Sequence, residues 1–314
     1  MQEAEQVIEK SRRFTEEKLK KLEEALSSVD IPNWSLIVNG SYARREASLH
    51  SDFDYFILHK GAIAPVDLNQ IQDQVRAIVK KTIGKLPSKE GAFDAALEIG
   101  TLSKNIGGAK DTNEHITRRI LFLTEGMAVN NPGLYAAQRD ELIARYVSHE
   151  ISDHQLGMFL LNDLIRYYRT VCVDFEYKTV ESNKAWGIRN IKLVFSRKLL
   201  YFSGVLIAAE MAQRTALQKR QIAQELISLP PVERIRKVCR AAADRAIESY
   251  ATFLAALEEE HVREMLEKVT ADRDSHTDEF KRLKNEGHHF SFHLMSALKS
   301  TYSESHPIHR ALVM

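Results

Sequence analysis

The strongest constraint on how this chain folds is a polar segment enclosed by two short apolar runs. The runs are Ser35–Asn39 and Phe53–Leu58, and their length and residue types predict two neighbouring β-strands. The first run ends at Gly40-Ser41, and the second begins within Asp52-Phe53-Asp54. We interpret the segment and its two strands as one structural unit that carries the chemistry of the chain.

The elements around this unit predict a small mixed sheet with helices. Apolar residues at three- and four-residue steps predict amphipathic helices over residues 3–28 and 68–83. Residues 93–102 form a weaker candidate for a third strand, ahead of the pair Gly107-Gly108. The resulting order is helix, strand, strand, helix, strand.

The second half of the chain has an almost wholly helical pattern from about Asp111 onward. Its breaks fall at residues 130–133, 182–183 and 230–231. We therefore expect an α+β domain at residues 1–145, which includes the N-terminal helix, and an all-helical domain at residues 146–314.

The charge balance and the cysteine content of the chain narrow the kinds of partner and cell compartment to be expected. The chain has 44 Lys and Arg against 43 Asp and Glu, so it lacks the basic surplus typical of proteins that bind nucleic acid or anionic membranes. Its two cysteines, Cys172 and Cys239, lie far apart in stretches predicted as helix, which favours reduced thiols. With neither a secretory signal pattern nor a stretch long enough to span a bilayer, we expect a cytoplasmic protein.

The residue types in the central segment suit phosphate and metal chemistry. Glycine at the end of a strand lets backbone N–H groups approach a phosphate closely, and the Ser41 hydroxyl adds a further donor. Alternate residues of a strand share a face, so Asp52 and Asp54 are expected to project together while Phe53 and Tyr55 face the other way. Two such carboxylates form a hard oxygen site for Mg²⁺ or Mn²⁺.

This segment resembles the signature of the DNA polymerase β-type nucleotidyltransferase superfamily, in which Gly-Ser precedes Asp-x-Asp on the next strand. The closest likeness is to the catalytic domain of PII-protein uridylyltransferases, with the form G-S-x-G-R-G-E-L-x-x-x-S-D-x-D. The matching residues are Gly40, Ser41, Arg44, Glu46, Ser51, Asp52 and Asp54. Ala43 and Arg45 replace glycines of the family. The resemblance implies that Gly40, Ser41, Arg44 and Arg45 contact the nucleotide.

The resemblance also implies a third metal-binding carboxylate. Residues 93–100 are similar to the family segment W-D-x-x-L-x-V-G, in which the Asp opens the strand that bears this carboxylate. The resemblance assigns the role of third metal-binding carboxylate to Asp94, with Glu98 as the alternative. On a strand these two side chains lie about 13 Å apart, so only one of them can serve the metal pair.

Polar residues on the apolar helices of the second half suggest further contacts with the nucleotide. Asn162 and Arg166 fall on one face of a predicted helix, and Arg189 and Lys192 fall on one face of another. In members of the superfamily, the nucleotide lies between the catalytic sheet and the following helical region. The resemblance therefore implies that these four side chains bind the base, ribose or triphosphate.

Taken together, these patterns predict a metal-dependent enzyme that moves a nucleoside monophosphate from an NTP such as ATP to an acceptor, with release of pyrophosphate. The catalytic and metal-binding residues are then Asp52, Asp54 and Asp94. The acceptor stays open among proteins, small molecules and nucleotides, and nucleic acid is disfavoured by the near-neutral charge. The alternative is a non-catalytic nucleotide-binding regulatory module with the same fold.

Overall fold

The computed structural model describes residues 2–29, 33–61, 63–86, 93, 95–181 and 184–313. Within these residues, the first part of the chain forms a four-stranded sheet and five α-helices. The strands are β1 (Trp34–Val38), β2 (Tyr55–His59), β3 (Ala96–Glu98) and β4 (Met127–Ala128). The helices are α1 (Gln2–Leu26), α2 (Gly40–Ala43), α3 (Pro65–Thr82), α4 (Asn113–Thr124) and α5 (Pro132–Tyr146).

The sheet is mixed, with the strand order β3-β2-β1-β4. Strand β1 pairs antiparallel with β2 and β4, while β2 pairs parallel with β3. Helix α3 supplies the crossover that parallel neighbours require. Every residue of β1 and β2 is buried, which explains why both strands appear in the sequence as nearly continuous apolar runs.

Helices cover both faces of the sheet. On one face, Leu36, Val38 and Ile57 pack in a hydrophobic cluster with residues of α1 and α3. On the other face, the Phe56 ring lies 6.0 Å from that of Phe122 in α4. The ring of Phe122 in turn lies 4.8 Å from that of Tyr135 in α5. This two-sided packing holds the ends of β1 and β2 in place.

The chain divides into two compact units, an α/β unit of residues 10–150 and a helical unit of residues 1–9 and 151–314. The boundary expected at residue 145 therefore differs from the structure by a few residues. The larger difference concerns α1, whose Ala4 and Ile8 belong to the core of the helical unit. A continuous amphipathic stripe in the sequence does not reveal that its two ends are buried in different cores.

The helical unit contains the start of α1 and nine further α-helices in the described residues. These are α6 (Met158–Val180), α7 (Trp186–Lys192), α8 (Lys198–Glu210), α9 (Ala216–Ile227), α10 (Pro231–Cys239), α11 (Asp244–Glu258), α12 (Glu260–Lys268), α13 (Asp278–Thr301) and α14 (Ile308–Ala311). A π-helical segment, Leu193–Arg197, joins α7 to α8. Helix α8 is buried along most of its length and forms the centre of the unit.

A buried cation ties together three segments of the helical unit. The Lys219 ammonium donates to the carbonyl oxygens of Asp153, Met211 and Arg214, at 2.8, 2.7 and 2.6 Å. Its side chain is fully buried, and burial lowers its pKa. Three carbonyl acceptors satisfy the three donors of the ammonium, so this lysine stabilises the link between α8 and α9.

The predicted fold class is confirmed: a small mixed sheet with helices is followed by a helical region. The sequence pattern missed β4, whose two residues are too few to show a periodicity. No helix in the described part of the chain is long and apolar enough to cross a membrane.

Candidate active site

The Gly40-Ser41 turn begins α2 directly after β1. Gly40 has φ +68, in the left-handed region that favours glycine. A Cβ atom at this position would also lie only 3.1 Å from Asp54 Oδ2. The preceding residue, Asn39, donates its backbone N–H to the carbonyl oxygen of Asp54 at 2.8 Å. The two halves of the sequence motif therefore lie against each other.

Asp52 and Asp54 occupy the extended segment that leads into β2. The expected alternation holds, because Phe53 and Tyr55 are buried in the core below the sheet while Asp52 is exposed and Asp54 half-buried. The Phe53 ring packs edge-on against Tyr42 of α2, with centroids 4.9 Å apart. Burial raises the pKa of Tyr42 to about 12, so its phenol stays neutral at physiological pH. This aromatic contact anchors the aspartate segment beneath the turn.

A buried carboxylate that the sequence pattern did not reveal supports the turn. Glu125 follows α4, and its side chain is fully buried. Its Oε1 accepts the Gly40 N–H at 2.8 Å, and its Oε2 accepts from Arg44 Nη1 at 2.6 Å. Arg44 Nε also donates to Glu46 at 2.8 Å.

This network shows what two of the residues predicted to bind nucleotide contact within the protein. The Gly40 N–H donates to Glu125, and the predicted contact of Gly40 with nucleotide stays a prediction. The Arg44 guanidinium is 7% exposed and lies between two carboxylates. Because a buried charge is stabilised by close partners, this pairing makes Arg44 part of the support beneath the turn.

Asn39 is a polar residue buried beside Asp54. Asn39 is fully buried, and neither the oxygen nor the nitrogen of its side-chain amide has a hydrogen-bond partner. In the β1–β2 register Val38 pairs with Tyr55, so Asn39 stands opposite Asp54. Opposed residues of an antiparallel pair project to the same face, which places the amide beside the Asp54 carboxylate. Buried amides without partners are rare, and such a group calls for a ligand, an ion or water.

Arg45 has a backbone conformation that glycine adopts more readily than other residues. Its φ is +61, and its guanidinium lies 3.6 Å from Glu16 of α1. Thr15 of the same helix accepts the Ala47 N–H at 3.0 Å. Helix α1 therefore holds the loop that follows the turn.

We expect Arg45→Gly to be more stable than Arg45→Ala by about 1 kcal/mol, because a residue with a Cβ is strained at positive φ. Urea denaturation of the two variants measures the difference. The same pair of substitutions at Arg76, inside α3, is the control, and there alanine should be the more stable residue. Equal stability of the two Arg45 variants would show that the left-handed conformation is not retained in solution.

The third carboxylate has one remaining candidate. Asp94 lies outside the described residues. Glu98, the alternative, is exposed at the end of β3 and pairs in register with His59. His59 is the last residue of β2, five positions beyond Asp54 and about 16 Å away along the strand. Glu98 therefore does not join the site, and among the described residues no group of three metal-ligating side chains occurs.

The four polar residues predicted to contact nucleotide from the second half all lie in the helical unit. On α6, Asn162 is exposed, while Arg166 lies 3.8 Å from the buried Asp163. Arg189 and Lys192 are half-buried on α7. Their role in nucleotide binding stays a prediction.

A small mixed sheet that sets a Gly-Ser turn against paired aspartates, with a helical region after it, is the arrangement expected for the nucleotidyltransferase superfamily. Residues 1–87 match the family model described as Putative nucleotidyltransferase DUF294. The matched stretch contains the turn and both aspartates, is consistent with that superfamily, and supports general nucleotidyltransferase activity. No curated protein matches the chain.

Proposed function

We propose that this protein transfers a nucleoside monophosphate from an NTP to a protein or small-molecule acceptor, with release of pyrophosphate. The observation that carries the proposal is the close approach of the Gly40 turn to Asp54, where an added Cβ would lie 3.1 Å from the carboxylate. A triphosphate held at the turn would lie beside carboxylates able to bind its metal ions. This juxtaposition is what nucleotidyl transfer requires.

The residues at the turn fit a divalent cation of the Mg²⁺ or Mn²⁺ type. Asp52 and Asp54 supply hard carboxylate oxygens, and the buried amide of Asn39 offers a polar neighbour on the same face. When bound, such a cation neutralises charge on the phosphates of the nucleotide. Asp94 is proposed as the third ligand on the resemblance alone.

The other residues of the turn are proposed to bind and orient the nucleotide. Ser41 is half-buried at the start of α2, and its hydroxyl and N–H are donors suited to phosphate oxygens. Arg45, with 35% of its side chain exposed, is proposed to add positive charge for the phosphates in the loop that follows α2. Arg44, Glu46 and Glu125 hold the turn in the geometry that these contacts need.

The near-neutral charge favours a small or protein acceptor over a nucleic acid chain. To identify it, the protein is incubated with each α-labelled NTP, Mg²⁺ or Mn²⁺, and cell extract. The Asp52→Asn/Asp54→Asn double variant is the control. Label on an extract component with the wild type alone supports the proposal and identifies the acceptor. NTP binding without transfer in any extract would favour the regulatory module instead.

We expect Asn39→Leu to weaken binding of the metal–NTP complex by at least about 10-fold, because hydrogen bonds to charged groups contribute about 1.5–3 kcal/mol. The free energy of unfolding without nucleotide should stay the same or rise, since the substitution removes a buried amide without partners. Calorimetric titration of NTP in Ca²⁺ measures the affinity, and urea denaturation measures the stability.

Asn130→Leu is the matched control for this prediction. The Asn130 side chain accepts the Leu36 N–H at 2.7 Å, so its loss should lower stability and leave affinity unchanged. An Asn39→Leu variant with normal affinity for the metal–NTP complex would show that the amide has no part in the site.

A further inference from the structure

Two lysines of the helical unit donate hydrogen bonds to neutral side-chain oxygens and not to carboxylates. The Lys198 ammonium at the start of α8 donates to Ser291 Oγ of α13 at 2.5 Å. The Lys284 ammonium, also on α13, donates to Asn190 Oδ1 of α7 at 2.7 Å. Both lysines are half-buried. Within the part of the chain that the structure describes, neither ammonium forms an ion pair with Asp or Glu.

The electrostatics of this lysine pair are unfavourable without a counter-ion. Burial lowers the pKa of Lys198, the positive charge of Lys284 lowers it further, and Cys172 of α6 acts in the opposite direction. Burial lowers the pKa of Lys284 as well. Folded proteins seldom bury charge that is not balanced by an opposite charge. A bound anion would offset the positive charge of the pair.

The π-helical segment between α7 and α8 brings Asn190 and Lys198, which make the two contacts with α13, onto one side of the continuous helix that α7 and α8 form. Asn190 and Lys198 are eight positions apart, which in a regular α-helix separates their directions by about 80°. The extra residue of a π turn reduces this angle to about 20°. Their partners Lys284 and Ser291 are two turns apart on α13, so the two pairs of residues lie in register.

Close packing holds this register. A Cβ atom on Gly287, which lies between the two contact residues of α13, would be 2.4 Å from Val194 Cγ1 in the π segment. Glycine is thus needed for the helices to approach this closely. The Ser291 hydroxyl also donates to the Gly287 carbonyl at 2.8 Å. π segments are rare and occur frequently at functional sites.

The hydrogen-bonding capacity of the cluster indicates the kind of ligand. Each ammonium has three donors, of which one is used in the bond described above. Asn190 accepts through Oδ1, which leaves the two N–H groups of its amide as donors. A set composed mainly of donors, with two positive charges, matches an anion rich in oxygen.

We propose that Lys198, Lys284 and Asn190 form a second binding site, for the phosphate group of a small molecule. The site lies wholly within the helical unit and is independent of Asp52 and Asp54. Phosphate oxygens would accept hydrogen bonds from donors of the ammonium groups, and the negative charge of the ligand would offset the repulsion between the two lysines. The affinity should fall as the pH rises through the lowered pKa values of the two lysines, and ionisation of the neighbouring Cys172 thiol would lower it in the same direction.

Thermal unfolding with inorganic pyrophosphate or phosphate tests the site, against KCl at equal ionic strength. EDTA is present throughout, so that no metal complex forms at the first site. We expect either anion to raise the Tm of the wild type by about 3–6 °C near saturation. Lys198→Met and Lys284→Met should lose the shift while being at least as stable as the wild type without anion. Lys281→Met, at an exposed lysine of the same helix, is the matched control and should keep the shift.

The Asp52→Asn/Asp54→Asn variant should also keep the shift, which separates this site from the proposed catalytic one. An equal shift in the wild type and both cluster variants would overturn the proposal, because the anions would then act elsewhere. The absence of a shift in the wild type would overturn it as well. Calorimetric titration with pyrophosphate should give an affinity at least about 10-fold weaker in each cluster variant, in line with a lost charge-assisted contact.

Discussion

Asp52→Asn and Asp54→Asn should each lower nucleotidyl transfer by at least about 100-fold while the protein remains folded. Each substitution removes a negative charge suited to binding the metal that neutralises the phosphates. Asp52 is exposed and Asp54 half-buried at the start of β2, so neither carboxylate is part of the hydrophobic core. Turnover with labelled NTP and the acceptor found in extract measures the loss, and circular dichroism checks the fold.

Glu98→Gln is the control for these two variants. This carboxylate is exposed at the far end of the sheet, level with His59, and should leave turnover unchanged. Near-normal transfer by either aspartate variant would refute the assignment of the metal site. A loss of similar size in Glu98→Gln would mean that the site extends along β3.

Glu125→Gln should destabilise the α/β unit by about 3 kcal/mol, the lower end of the cost of breaking a buried ion pair. The amide would still accept from Gly40, but its N–H₂ group would face the Arg44 guanidinium, so two donors would oppose each other. Because Arg44 keeps its bond to Glu46, the loss should not reach the upper end of the range. Transfer should fall as well, since the turn loses part of its support.

The two tryptophans allow this effect to be assigned to one unit. Trp34 is buried in β1, and Trp186 begins α7 in the helical unit. In a Trp186→Phe background, urea denaturation followed by fluorescence reports on the α/β unit through Trp34 alone. Glu24→Gln, at an exposed carboxylate of α1, is the matched control and should leave the midpoint unchanged. An unchanged midpoint in Glu125→Gln would mean that the network does not hold the turn.

The sequence predicted the parts of the fold whose signals are local. The apolar runs of β1 and β2 and the helical periodicity of α1 and α3 need no distant partner, so each showed its pattern in place. Gly40, Asp52 and Asp54 were selected as candidate site residues for the same reason, because one short segment contains all three. Strand β4 was missed, since two residues carry no periodicity.

Contacts between residues that are distant in the sequence could not be predicted from such local patterns. Glu125 is separated from Gly40 by 85 positions, and nothing in its own surroundings indicates that it accepts the glycine N–H. The bond of Arg44 to Glu125 could not be predicted either, because the two residues are 81 positions apart. The Lys198–Ser291 contact joins residues that are 93 positions apart. The π segment directly before Lys198 could not be predicted from the periodicity of apolar residues.

The position of the transferred phosphate tests the central claim most directly. The purified protein, Mg²⁺ and the acceptor are incubated with NTP labelled either in the α-phosphate or in the γ-phosphate. The proposed function predicts that α-label becomes attached to the acceptor while γ-label is released as pyrophosphate, and that the Asp52→Asn/Asp54→Asn variant does neither. Transfer of γ-label to the acceptor would contradict the claim, because the protein would then be a kinase.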